Sequence, residues 1–179
     1  MEDVPFTHYL EHLWGALARF GLIAIILPVI PVVIFNLSLS ATLALMTSTF
    51  VIEYGAAPVG IGLGLPPFFV FHVLVCIASG VLFFMLDIFD TQGEHSERIA
   101  KSLAGSGEKA WQSKILSKFG IFGPVPCVMT LGFYACPPIA WVFGWRRDLS
   151  IVMTMAGYAA ISIVTILVSL GIFGMVFTK

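Results

Sequence analysis

Charged residues are scarce in this chain: ten acidic and nine basic side chains in 179 residues, 11% of the total, with a net charge of -1. An ordinary soluble domain carries about 25% charged residues, so that class is excluded. The near-neutral balance also leaves no basic patch on which a nucleic acid would dock. Cysteine is scarce as well. Cys76, Cys127 and Cys136 each sit inside an apolar run, without metal-ligand spacing or a paired framework, and read as small buried hydrophobes. The chain has no nucleophile–base pair, no phosphate-cradling glycine loop and no metal cluster, so we expect neither an enzyme nor a cofactor.

What is present is apolar. Hydrophobic residues make up 59% of the chain and the mean hydropathy is +1.00. Four stretches, Phe20 to Ile52, Tyr54 to Leu86, Phe119 to Trp145 and Leu149 to Thr178, hold no Asp, Glu, Lys or Arg. A spanning helix needs about 20 such residues, so the class is an all-α integral membrane protein. The N-terminal "MEDVPFTHYLEHLW" is acidic and aromatic, unlike the basic leader of a signal peptide, and residues 1–13 are expected at the interface.

The first apolar stretch would run about 50 Å as one helix, far more than a hydrocarbon core of about 30 Å, so it must break. "FNLSLSA" supplies the break, because Asn36, Ser38 and Ser40 can cap a new helix. The first span is then 14–36, kinked at Pro28 and Pro31. Residues 40–65 form a broken segment ended by Pro66-Pro67, and 67–89 a second span. Residues 90–118 form an amphipathic, basic loop. Residues 119–145 form a second broken segment, and 149–177 a last span.

The two broken segments are repeats. A shift of 80 residues lays "YGAAPVGIGLGL" from Tyr54 on "YACPPIAWVFGW" from Tyr134, matching Tyr54 with Tyr134, Pro58 with Pro138 and Gly64 with Gly144. If both segments crossed fully, the loop bearing Arg98, Lys101, Lys109, Lys114 and Lys118 would lie opposite Arg146 and Arg147, against the positive-inside rule. If each enters and leaves on one side, all these cations and Arg19 share the cytoplasmic face. The expected fold is therefore three transmembrane helices plus two re-entrant helical hairpins in an inverted repeat, with the N-terminus cytoplasmic and the C-terminus outside the cell membrane.

Glu53 is the sharpest functional candidate, since an acid within a membrane segment costs a few kcal/mol and by default marks an ion path or substrate contact. The alternative is an acid that ties the hairpin tip together by hydrogen bonds. No cationic partner is evident, because the second copy carries Phe133 at that position. Around it, Tyr54, Gly55, Pro58, Gly60, Tyr134 and Pro138 are expected to form a substrate or ion site. Gly60 and Gly64 also offer a small-residue packing face. Arg146 and Arg147 set topology and are candidates to bind a lipid headgroup. His72 reads as a packed histidine, and Asp87 and Asp90 as a solvated helix end.

At "IEYGAAPVGIGLGLPP" the chain resembles the small multidrug export protein family, whose first hairpin carries a similar Glu-x-x-Gly-Ala-x-Pro-x-Gly-x-x-x-Gly-x-Pro pattern. Glu53, Gly55, Ala56, Pro58, Gly60, Gly64 and Pro66 match it. The resemblance covers residues 40 to 177, and that family is in turn similar to the DedA/VTT group of lipid-translocating proteins with paired re-entrant hairpins. The family's Pro-Gly-Thr-Gly tip in the second hairpin is replaced here by "CVMTLGFYACPPIA".

The leading expectation is a small homodimeric exporter that moves a small solute or ion through a midplane site between opposed hairpins, proton- or cation-coupled through Glu53. A flippase or scramblase for a phosphate-bearing lipid, engaged by Arg146 or Arg147, is the alternative. A third class is a non-transporting subunit of a larger membrane complex. Membrane lipids surround the chain in every case.

Overall fold

The computed structural model describes residues 6–95, 128, 132–142 and 147–177. Arg146, most of the basic loop and the first half of the second broken segment, apart from Val128, lie outside the described residues. All regular structure among the described residues is helical. Among the described residues, four stretches are long and apolar enough to cross a membrane: Leu13–Ile34, Leu39–Gly62, Pro67–Phe89 and Arg147–Gly171.

Helix α1 (Phe6–Gly21) starts within the segment expected at the interface and continues through a π-helical turn, Leu22–Ile26, into α2 (Leu27–Ile34). The prolines explain the turn. Pro28 has no N–H to offer the carbonyl of Ala24 and crowds it, so the helix widens ahead of the proline, with the Leu27 N–H donating to the Leu22 carbonyl. The chain stops where the sequence predicts. Asn36 sits at φ 51°, and the Leu37 N–H reaches the Val32 carbonyl at 3.0 Å. Ser38 then caps α3 (Leu39–Ile52), its Oγ accepting from the Ala41 N–H at 3.4 Å.

A single 3₁₀ turn, Glu53–Ala56, separates α3 from α4 (Ala57–Gly62), and the chain folds back there. A Cβ added to Gly60 would lie 3.1 Å from Leu45 Cδ1 and 2.7 Å from Val70 Cγ2, whereas fifteen residues of straight helix would separate Gly60 from Leu45 by about 22 Å. Helix α4 ends with Gly64 at φ 78°, the Leu65 N–H bonding the Gly60 carbonyl at 3.1 Å and the Gly64 N–H bonding the Ile61 carbonyl at 3.0 Å. That is the pattern of a glycine-terminated helix, and it accounts for "GLGLPP".

Helix α5 (Pro67–His95) is the centre of the molecule, burying Val70, Val73, Leu74, Ile77, Ala78 and Leu82. It runs antiparallel to α1 and α2. At one end Arg19 meets Asp87; further along, Gly80 lies against Ala24, where a Cβ would be 2.8 Å from the alanine Cβ. At the other end Phe35 and Leu37 share a cavity with Pro66 and Phe68. Helices α6 (Cys136–Val142) and α7 (Arg147–Phe177) complete the described chain. α7 is also antiparallel to α5, with Arg147 at Asp87 and Met155 Sδ 3.9 Å from Ser79 Oγ.

Candidate functional site: the meeting of two tips

Glu53 ends α3 with its N–H bonded to the Thr49 carbonyl, at φ 52° and ψ -131°. Such a backbone costs a residue with a Cβ on the order of 1–3 kcal/mol and persists only where surrounding contacts hold it. Here the contacts are visible. The Glu53 carboxylate accepts from two backbone N–H groups about eighty residues away, Phe133 on Oε2 at 2.9 Å and Tyr134 on Oε1 at 3.2 Å. Both donors lie in the turn before α6, where the first amides of a helix have no partner of their own.

The bond is returned. The Tyr134 hydroxyl donates to the Phe50 carbonyl at 2.9 Å, in the last turn of α3. Each tip therefore satisfies backbone groups of the other. Gly132 makes the approach possible: its φ is 87°, and a Cβ there would stand 3.4 Å from both Glu53 oxygens. Phe133 and Tyr158 of α7, each 1% exposed, wall the site, their rings 4.8 Å apart and edge to face. Tyr54 reaches the same Tyr158 ring at 6.1 Å.

Of the residues singled out from sequence, Glu53, Tyr134 and Tyr54 come together here. Gly60 packs between Leu45 and Val70, a structural position. Gly55 is half-buried beside Ile52, Pro58 is exposed, and Pro138 is half-buried within α6. Gly132, the Phe133 amide and Tyr158 were missed. The shift of 80 residues that lays Glu53 on Phe133 was the available signal, because it names the two positions that now touch.

The arginine end is built differently from the expectation. Asp87, read as a solvated helix end, is held by Arg19 at 3.0 Å and Arg147 at 2.9 Å, and its side chain is only 18% exposed. Arg147 is thus engaged within the fold, joining α1, α5 and α7. His72 is half-buried with Nε2 3.6 Å from Cys76 Sγ, the environment of a packed histidine. No group of three or more His, Cys, Asp and Glu side chains able to hold a metal occurs among the described residues.

No family model, no curated protein and no solved structure matches the chain.

Proposed function

We propose that the chain is a small membrane transporter in which two re-entrant hairpins, dipping from opposite faces, meet tip to tip and are latched by Glu53. The observation that carries this reading is the double hydrogen bond from Phe133 and Tyr134 to the Glu53 carboxylate. Backbone amides in a membrane interior must find partners within the protein, and here an acid from the other half of the chain provides them. Residues 38 and 66 both lie at the end of the bundle away from Arg19, Asp87 and Arg147, which supports re-entrance of the first hairpin. Arg147, at the start of α7, lies at the arginine end, which supports the opposite entry side for the second. Positions equivalent under the repeat meet at Glu53 and Phe133, where a pseudo-two-fold axis would put them.

A latch made of one carboxylate is a natural gate. Releasing it, by a proton or a cation competing for the carboxylate, frees the two tips to part and opens a route between the faces. The chain acts as a homodimer in this reading, since a single copy is too small to enclose a wide path. Of the two arginines that the lipid-translocating alternative offers to a headgroup, Arg147 is paired with Asp87.

The test is export by cells expressing the chain, scored with a panel of small toxic cations and solutes beside a lipid-scrambling assay on vesicles containing the purified protein. Glu53→Gln should abolish export while the protein still assembles in the membrane. Undiminished export by that variant, or lipid scrambling with no solute export, would overturn the proposal.

A further inference from the structure

Helix α7 turns aliphatic side chains outward and hydroxyls inward. Its outward face carries Val152, Ile163, Val164, Leu167 and Val168, whereas its buried face is largely hydroxyl-bearing. Ser150, Thr154, Tyr158, Ser162 and Ser169 are all buried, at 5% exposure or less, and Thr165 is half-buried on the same side. At 100° per residue these six positions fall within about a third of the helix circumference, and Ser150 to Ser169 spans about 28 Å, close to the thickness of a hydrocarbon core. Hydroxyls recur along the whole of that length, beside the aliphatic contacts of Ile151, Met155, Ile161 and Ile166 with the core.

Most hydroxyls in membrane helices turn back onto their own helix, and two of these do: Thr165 to the Ile161 carbonyl at 2.7 Å and Ser169 to the Thr165 carbonyl at 2.6 Å. Ser150 and Ser162 do not. Their Oγ atoms are buried with no partner at hydrogen-bonding geometry, although Ser162 lies close enough to Tyr158 to interact with it. A buried hydroxyl left unsatisfied is costly, and such groups are ordinarily completed by water. Midway along the column, Tyr158 packs on Phe133 and Tyr54, the residues around the Glu53 latch.

We propose that this face of α7 is one wall of a hydrated path. It admits water and small hydrogen-bonding solutes, and not lipid tails, and the tips gate it at Tyr158. The proposal deepens the transporter reading and names its substrate class. A dry packing seam, the competing account of a serine-rich face, would have no water beside Ser150 and Ser162.

The test uses the full-length protein in vesicles, with Cys76, Cys127 and Cys136 replaced and single cysteines introduced by Ser150→Cys, Thr154→Cys, Ser162→Cys and Ser169→Cys. Val152→Cys, Ile163→Cys and Leu167→Cys are the lipid-facing controls. A small hydrophilic thiosulfonate should modify the column sites at least about tenfold faster than the controls, because thiolate forms only in contact with water. Rates equal to the controls overturn the proposal. Hydroxyl-radical footprinting of the unsubstituted protein needs no mutation: oxidation of Tyr158, despite its 1% exposure, supports the path, and an untouched Tyr158 counts against it. A reactive column with Glu53→Gln exporting normally would keep the path and remove the latch. A silent column with Glu53→Gln inactive would do the reverse.

Discussion

At the scale of single residues, Glu53 is held by what its two oxygens accept. Glutamine keeps the shape but presents an amide NH₂ where one oxygen stood, so one of the two N–H groups from Phe133 and Tyr134 would face another donor. Hydrogen bonds to a charged group contribute about 1.5–3 kcal/mol each, and a buried donor left alone carries its full desolvation cost. Glu53→Gln should therefore lower the midpoint of thermal unfolding in detergent, and Glu53→Asp should do so too, by withdrawing the carboxylate from its donors. Gly132→Ala attacks the same contact from the other side. An alanine there would sit on a backbone at φ 87° with its Cβ in contact with both oxygens at 3.4 Å, and the backbone strain should cost about 1–2 kcal/mol by the same assay. Unchanged melting of Gly132→Ala would mean that the turn before α6 does not hold this backbone.

Secondary-structure elements were the most legible part of the sequence. The break at "FNLSLSA" follows from the conformation of Asn36 and the cap of Ser38, and the stop at "GLGLPP" from Gly64 ahead of the Pro66-Pro67 pair that the sequence offers as a helix end. The π-helical turn was not visible, because a proline announces a disturbed helix without saying whether it kinks or widens. Gly60, read both as part of a ligand site and as part of a small-residue packing face, packs against Val70 and Leu45, which its absent Cβ admits. Gly60→Ala should cost about 1–3 kcal/mol through overpacking, and adding Val70→Ala should recover part of that, since it removes the nearest clash at 2.7 Å. A double variant no more stable than Gly60→Ala alone would assign the glycine another role. The hydroxyl face of α7 could have been read from the spacing of Ser150, Thr154, Tyr158 and Ser162, yet in so apolar a stretch length and hydropathy dominate the reading.

At the scale of the whole molecule, charge and topology meet in the cluster of Arg19, Asp87 and Arg147. The arginine side chains are 68% and 47% exposed, so each pair is screened and should contribute no more than about 1 kcal/mol. A double-mutant cycle on Asp87→Asn and Arg147→Ala should return a coupling of that size, and a zero coupling would leave the cluster as a topology signal only. Its placement at one end of the bundle also predicts the sidedness of the chain. Introduced by Ser38→Cys and Asp148→Cys on a cysteine-free background, a thiol should react with an impermeant reagent from outside intact cells at the first site and not at the second. The 80-residue repeat pairs Glu53 with Phe133, but the bond between them was hidden, because one partner is a pair of backbone amides that carry no side-chain signature. Hydrogen exchange of those amides tests their meeting most directly. In the native protein the Phe133 and Tyr134 amides should be strongly protected, and in Glu53→Gln they should exchange about ten- to a hundredfold faster, with the rest of α7 unaffected. Fast exchange at both amides in the native protein, or protection that survives Glu53→Gln unchanged, would show that Glu53 does not latch the two halves together.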